Sequence, residues 1–323
     1  MNNHPRFVLA ELQPADPAHL SAVAELWNEA CGEDLAISAR LVRYNLAPGH
    51  DLATVGLLAL VGETVVGAVI GSVYTGAAPA PGLVMPHHGW IELLAVRPAW
   101  QRQGIGRALL AWAETELRRL GARELHIGGG LRHFLPGVPA TSGCDQFFVR
   151  QGFSERYRAW DIAADLSAYQ PPAGLREAPA AVRPAQPGQM PLLIDFLRRE
   201  FPDRWHYEAH EFVREGGRVS DYMLLWTEAG VGGFLRLGLA DSLWPLERYA
   251  PYRLPRPWAQ IGSVGIAAAL QRKGYGSCLL DASLRRLHNL GVNGCLIDWT
   301  AQQPLYRNFG FSPYREYVML GKQ

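Results

Sequence analysis

Two stretches of the chain, QRQGIGRALL at 101–110 and QRKGYGSCLL at 271–280, are identical at six of ten positions. Each sets a glycine pair between an apolar run and an amphipathic one. Glycine lets backbone approach an anion closely, and a helix start offers unpaired N–H groups at the positive end of the macrodipole. The spacing predicts a pyrophosphate cradle in each copy, built on Gly104 and Gly106 and on Gly274 and Gly276. Its donors are the N–H groups of Ile105, Gly106, Arg107 and Ala108 in the first copy, and of Tyr275, Gly276 and Ser277 onward to Leu279 in the second. Arg102, Arg107, Arg272 and Lys273 either add charge beside the phosphates or are the solvated residues of a helix start. Neither copy carries the GxGxxG of a dinucleotide fold or the Gly-Lys-Ser/Thr of a P-loop. Two carboxylates interrupt apolar runs, Glu92 in WIELLAV and Asp298 in CLIDWT. Glu92, as a carboxylate in an apolar strand, is expected to have a raised pKa and to act as a base through a water. The plainer readings are a satisfied strand residue for Glu92 and a loop or helix cap for Asp298.

The elements that position these residues repeat as well. The offset of 170 residues (271 minus 101) persists downstream, where Leu120-Gly121 matches Leu290-Gly291. Asp16-Pro17 reads as an N-cap with proline at the first helical position, and Leu20, Val23, Ala24 and Trp27 give that helix one apolar face. A second helix is expected over 38–46, a hairpin about Gly62-Glu63, a strand over 88–96, a helix over 106–120, a short helix over 145–151 and a strand over 153–162. The order recurs in the second half, with helices over 190–201 and 207–215, strands over 222–227, 231–239 and 261–267, a helix over 276–290, and a strand, short helix and closing strand to the end. Both halves read β-α-α-β-β-β-α-β-α-β. This predicts an α/β class with a mixed sheet, in two tandem domains at 1–169 and 181–323, joined by a Pro/Ala-rich linker at 170–180.

Composition excludes several alternatives. A net charge of +1 over 323 residues gives no electrostatic case for a nucleic acid or an anionic membrane as partner. No apolar run is long enough to span a bilayer, and no signal segment is recognisable, so a cytoplasmic location is expected. Cys31, Cys144, Cys278 and Cys295 form no CxxC pair, and no histidine pair among His87, His88, His126 and His133 has metal-ligand spacing, so no metal is expected.

The motif and element order together resemble the GNAT acyltransferase superfamily, whose members move an acyl group from acyl-coenzyme A to an amine. The family signature Arg/Gln-x-x-Gly-x-Gly/Ala stands here as Gln101-x-x-Gly104-x-Gly106 and Gln271-x-x-Gly274-x-Gly276, and LYRNFGF at 305–311 resembles its C-terminal signature. The tandem arrangement is similar to that of the mycothiol synthases. The resemblance implies two GNAT folds, acetyl-CoA as cosubstrate, and pantetheine bound along the strands ending at Val96 and Ile266. It further implies Tyr306 as the acid that protonates the departing thiolate. Aligning Gly152-Phe153 with Gly310-Phe311 sets Phe148 opposite Tyr306, so the first half lacks that hydroxyl and the second is expected to be catalytic. The second half also lacks Glu92, whose counterpart is Gly262, and must find its base elsewhere, with Asp298 nearest. The first half carries twelve more residues before Gly152, as the offset of 170 falls to 158 (310 minus 152), and this insertion either covers a site or forms an interface. Acceptor recognition is expected from two loops, PDRWHYE and SLWPLERYAPYRLPRPW, which offer Trp205, His206, Tyr207, an exposed Arg248, and Tyr252; the second loop packing the two domains together is the competing reading. The acceptor would be a small-molecule or peptide amine. A non-catalytic acyl-CoA-binding protein that controls a partner remains the alternative.

Overall fold

The computed structural model describes residues 7–76, 87–175, 178–300 and 303–323. The first half runs β1 (Val8–Glu11), α1 (Pro17–Cys31), α2 (Ala39–Leu46), β2 (Leu52–Val61), β3 (Thr64–Tyr74), β4 (His88–Val96), α3 (Ile105–Arg119), β5 (Glu124–Ile127), β6 (Val138–Pro139), α4 (Asp145–Val149) and β7 (Ser154–Asp165). The second runs β8 (Ala181–Pro184), α5 (Met190–Glu200), α6 (Arg204–Arg214), β9 (Tyr222–Thr227), β10 (Gly230–Gly238), β11 (Trp258–Ile266), α7 (Tyr275–Asn289), β12 (Gly294–Thr300), α8 (Gln303–Arg307) and β13 (Ser312–Lys322). Local chemistry sets these limits. The Asp16 carboxylate accepts the Ala18 N–H at 2.8 Å and opens α1. Gly62, at φ 59°, turns the two-residue hairpin that joins Val61 to Thr64.

Two compact units result, and the closing strands are divided between them. The first unit takes the described residues up to Arg158 together with Tyr317–Gln323, and the second takes Ala159–Glu316. In the first, the strand order is β1-β2-β3-β4-β5-β13. In the second it is β7-β12-β11-β10-β9-β8. The sequence boundaries of 1–169 and 181–323 therefore do not coincide with these units. The ends of β7 and β13 are similar apolar strands following a Gly-Phe pair, and nothing in their side chains specifies which of two like sheets each one joins.

Each unit holds one parallel pair among antiparallel neighbours. His88–Ile91 pairs with Glu124–Ile127, and Trp258–Ile261 with Gly294–Ile297. Beyond these four-residue ladders the strands of each pair part. α3 lays Ile105, Leu109, Leu110, Ala113 and Leu117 onto Val69, Val73 and Ile91, and α7 lays Leu279, Leu280, Leu284 and Leu287 onto Leu235, Leu237 and Ile261. These stripes follow the helical period and fix the height of each helix on its sheet, hence the position of each glycine turn. Truncating such a side chain, Leu109→Ala or Leu279→Ala, is expected to cost about 2–5 kcal/mol.

Candidate functional site

The two glycine turns are the same object built twice. Gly104 is the N-cap of α3 at φ 86° and ψ −10°, and Gly274 that of α7 at φ 91° and ψ −14°. Arg102 and Arg272, two residues earlier, hold φ of 63° and 61°. Gln101 Nε2 donates to the Val96 carbonyl at 3.1 Å, and Gln271 Nε2 to that of Ile266 at 3.2 Å, tying each turn to the end of its strand. Neither helix start has a side-chain cap, so the first N–H groups of each point outward without one. A Cβ on Gly104 would meet nothing within 4 Å, which leaves room for a ligand, and the positive φ at both Gly104 and Gly274 demands glycine. Gly106 and Gly276 have ordinary clearance, with nearest neighbours at 3.6 and 3.7 Å from a built Cβ. This donor set and open space fit a pyrophosphate. Among the charged residues, Arg102, Arg107 and Arg272 are exposed, whereas the Lys273 ammonium donates to the Ala269 carbonyl at 2.8 Å.

Where the parallel strands part, each unit places one carboxylate, and from opposite strands. Glu92 on β4 is the extra residue of a bulge against β3, with Leu93 paired to Ile70 and Ile91 to Gly71. Its buried carboxylate accepts the Ser72 hydroxyl at 2.7 Å and the Gly130 N–H at 3.3 Å. Its counterpart on β11 is Gly262. Asp298 lies just past the ladder on β12, and its counterpart past β5 is Gly128. The Asp298 carboxylate accepts from Gln260 Nε2 at 2.6 Å. Although the residue keeps some exposed surface, its carboxyl is densely surrounded, and that burial raises its pKa against the pull of Gln260, Arg236 and Arg248. Asp298 is thus a strand residue within the opening and not a loop or helix cap.

Tyr306 on α8 is buried, its ring edge-on to Phe311 at 6.1 Å. Burial, then the neighbouring Asp298 charge, push its hydroxyl up to about 12. Phe148 on α4 makes the matching edge contact with Phe153 at 6.0 Å in the first unit. The scaffold is therefore the same and only the hydroxyl differs.

The insertion of the first unit turns inward. Residues 128–139 are all buried. Gly128 and Gly129 at φ 70° and 72° make the turn, and Gly129 N–H donates to the Leu135 carbonyl at 3.0 Å. Arg132 donates to the carbonyls of Tyr44 and Ala47 at the end of α2 at 2.9 and 2.8 Å, and stacks over the Tyr44 ring. Phe134 packs at 6.4 Å from Trp27 of α1. The space between Glu92 and the first two helices is thereby filled by the unit's own chain.

The same space in the second unit is lined by polar groups. Two residues beside the opening hold left-handed backbone, Ser263 at φ 53° and Trp299 at φ 48°, unusual for non-glycine residues and common at functional sites. Ser263 Oγ donates to Glu208 of α6 at 3.4 Å, and Arg204 stacks over the Trp299 ring at 5.0 Å. Arg236 of β10 lies over Trp244 at 4.1 Å and donates to the Tyr249 hydroxyl at 3.2 Å. Several buried polar atoms here, Gln260 Oε1, Arg236 Nε, Trp244 Nε1 and His206 Nδ1, have no hydrogen-bond partner among the described residues. Orphans of this kind call for a partner that the described residues do not supply.

The expected acceptor residues meet this picture unevenly. His206 is buried, 3.3 Å from His210 through their Nε2 atoms, and burial lowers its pKa. Trp205 packs on Phe201 and Phe234 at 5.0 and 5.7 Å, and so belongs to an aromatic cluster as well. Tyr207 is half-buried on α6, and Tyr252 stands edge-on to Trp258 at 5.5 Å. Arg248 is not exposed as expected. At 4% exposure it sits between Trp244 and Tyr249, because two aromatic faces can sequester a guanidinium in a way that loop sequence alone does not reveal. Gln260, Arg236 and Glu208 escaped the sequence reading. The signal for the first two was available, since each is a large polar residue set among apolar ones in a strand, as Glu92 is. Two surface concavities flank Arg286 and Leu290 at the far end of α7 and hold none of these residues.

The sequence model of the Acetyltransferase (GNAT) family matches the chain twice, at residues 20–131 and 190–311. A mycothiol acetyltransferase of Cellulomonas flavigena is 28% identical over 247 residues, 71% of this chain and 66% of that one. Among solved structures, the GCN5-related glucosamine N-acetyltransferase region of a fungal multi-domain GH3 β-N-acetylglucosaminidase superposes with a TM-score of 0.86 at 23% identity, over 99% of this chain and 38% of that one. A tandem GNAT protein from the clavulanic acid biosynthesis pathway gives 0.70 at 17% identity over 98% of both chains. The chain thus spans less than two thirds of the length of the first two relatives. The structural likenesses bear on the fold, which they share across both units.

Proposed function

The chain belongs to the GNAT acetyltransferase family, and from that premise we propose that it is an N-acetyltransferase that uses acetyl-CoA and does its chemistry in the second unit. The observation that carries this reading is the pairing, in that unit, of an uncapped glycine helix start at Gly274 with Tyr306 and Asp298 at the opening between β11 and β12.

Acetyl-CoA, when bound, supplies a thioester that an amine can attack directly. The N–H groups of Tyr275, Gly276 and Ser277 hold the pyrophosphate, and the end of β11 at Ile266 guides the pantetheine arm. Asp298 takes the proton of the attacking amine. Its raised pKa makes it a better proton acceptor than an exposed carboxylate would be near neutral pH. Tyr306, with its pKa near 12, is protonated at neutral pH and donates its proton to the departing sulfur. Gln260 holds the Asp298 carboxylate in place. The acceptor lies against Glu208, Gln260, Arg236 and the tryptophans about them, where orphaned donors and an orphaned acceptor await partners.

The first unit is read as a binding domain. It keeps the cradle at Gly104, but Phe148 replaces the acid and residues 128–139 fill the acceptor side. Glu92, satisfied by Ser72 and Gly130, is then a structural carboxylate. The fungal relative's name specifies glucosamine, which makes an amino sugar the first acceptor to try. The test is a thiol-release screen of the pure protein with acetyl-CoA against amino sugars, other small amines and peptides. Turnover with at least one amine supports the proposal. Tight CoA binding without turnover on any of them would replace it with the non-catalytic alternative.

A further inference from the structure

The first unit carries a second cluster of chemistry-bearing side chains, four residues upstream of Glu92 on the same strand. The parallel ladder sets His88 beside Glu124 and Trp90 beside His126, so that His88, Glu124 and His126 project from one face of the sheet. No sequence spacing announces this group, because its members come from two strands. His88 Nε2 lies 3.6 Å from Glu124 Oε2, and His126 Nε2 lies 3.8 Å from Glu124 Oε1. The two imidazoles stack at 4.6 Å, and one ligand atom from each of the three residues can be chosen so that all lie within 4.8 Å of one another. His126 Nε2 and His88 Nδ1 are buried and have no hydrogen-bond partner among the described residues.

We propose that His88, His126 and Glu124 form a site for a divalent transition-metal ion, zinc in the first place. Two imidazoles and a carboxylate are a zinc donor set, and metal–ligand bonds near 2.0–2.2 Å put tetrahedral ligand atoms about 3.3 Å apart. The His88 Nε2–Glu124 Oε2 separation needs to close by only a few tenths of an ångström, and the ligand atoms of all three residues already lie within 4.8 Å of one another. Arg156 donates to Glu124 Oε1 at 3.3 Å, which orients the carboxylate and leaves Oε2 for the ion. The fold itself does not require these residues. Their counterparts in the second unit at the offset of 170 are Trp258, Gly294 and Leu296, and Trp258 and Leu296 join an apolar cluster with Leu246 and Tyr249. The ion would clip the first rung of the short β4–β5 ladder, at the end opposite to where those strands part.

The test uses the full chain, freed of metal by a chelator and titrated with zinc by calorimetry, with cobalt absorption reporting coordination geometry. One zinc per chain is expected, with a rise in Tm on binding. Glu124→Gln and His126→Gln should each weaken binding by more than about a hundredfold, beyond the roughly 10–100-fold that loss of an outer partner alone would cost, and abolish that rise. Their metal-free Tm should match wild type, and His210→Gln, at the other close histidine pair, should change nothing. Should His126→Gln fail to fold, Glu124→Gln decides, since its side chain is 30% exposed. No uptake at micromolar zinc, or uptake that survives these substitutions, overturns the proposal.

Discussion

Replacing Tyr306 with phenylalanine separates the hydroxyl from everything else the residue does. The ring is 6% exposed and packs edge-on against Phe311, and the first unit shows that this scaffold accepts phenylalanine, since Phe148 makes the same contact with Phe153. Packing is therefore conserved, and stability should change by no more than about 1 kcal/mol, the net worth of one hydrogen-bonding group. With its pKa raised to about 12, the hydroxyl is protonated throughout the neutral range and acts only as a donor. Losing an acid of this kind slows a reaction by about 10²–10⁴-fold. At 1.36 kcal/mol per decade that is about 3–5 kcal/mol of barrier, several times the expected change in stability. The assay is thiol release at saturating acetyl-CoA, with CoA affinity measured in parallel by calorimetry. Turnover should fall by that factor while affinity holds. In the companion variant, Glu92→Gln, the amide NH₂ can turn to the Ser72 hydroxyl, so turnover should stay within about twofold of wild type if the first unit only binds. A fully active Tyr306→Phe beside a dead Glu92→Gln would refute the assignment and move the chemistry to the first unit.

Asp298→Asn should slow turnover and remove the acidic limb of the pH–rate profile, a limb that in wild type lies above the ordinary carboxylate range. Because the folded pKa of Asp298 is raised, the stability its protonated form contributes is full below the unfolded value near 3.9 and is lost as pH rises through the folded value, so the asparagine variant should gain on wild type in urea midpoint as pH rises above the ordinary carboxylate range. Gly104→Ala and Gly274→Ala should each cost about 1–2 kcal/mol from left-handed backbone, at Gly104 without a clash, and calorimetry should show CoA stoichiometry falling from two to one in each. Gly130→Ala would set a Cβ 1.7 Å from Glu92 Oε1, and should lower the Tm of the chain while the acetyltransferase rate of the surviving fold stays within about twofold. A chain cut to residues 1–169 loses Val318 and Leu320 from the core of the first unit and the Lys322–Glu114 ion pair at 2.7 Å, so native-gel and circular-dichroism measurements should find it less stable than the same unit in the whole chain.

Much of this architecture was legible because each element carries its own instructions. The second helix, expected over 38–46, forms over Ala39–Leu46 from Ser38, whose hydroxyl accepts the Leu41 N–H. The glycine turns follow from a backbone requirement that no other residue meets easily. What stayed hidden is whatever depends on which strand lies beside which. The closing strands β7 and β13 have similar apolar patterns, and only the finished sheets reveal their placement. The cluster at His88, Glu124 and His126 exists only through strand register. Arg248 looked like a surface charge because its aromatic partners are a fold-level fact. The insertion of the first half was expected to cover a site or form an interface without the sequence deciding which, and the decision is made by the turn at Gly128 and Gly129 and by the backbone carbonyls that Arg132 finds at the end of α2.

The divergence of the two units follows from how little room their openings have. A Cβ on Gly130 would strike Glu92, and a Cβ on Gly262 would lie 2.1 Å from Gln260 Nε2. Each opening therefore accommodates one polar arm and requires glycine beside it, on the facing loop in the first unit and two residues along the same strand in the second. In the first unit that arm is Glu92, and both of its oxygens accept hydrogen bonds from fixed groups, the Ser72 hydroxyl and the Gly130 amide. In the second the arm is Gln260, an amide that meets a carboxylate coming from the other strand. An amide cannot neutralise Asp298, so the carboxyl is left to be raised by burial, and its charge is felt by the phenol of Tyr306. One repeat has thus locked its titratable group into the fabric of the sheet, while the other holds its group under tension with a proton donor nearby. Catalysis by proton transfer needs the second arrangement. The glycine cradles, which need only backbone, could stay alike in both.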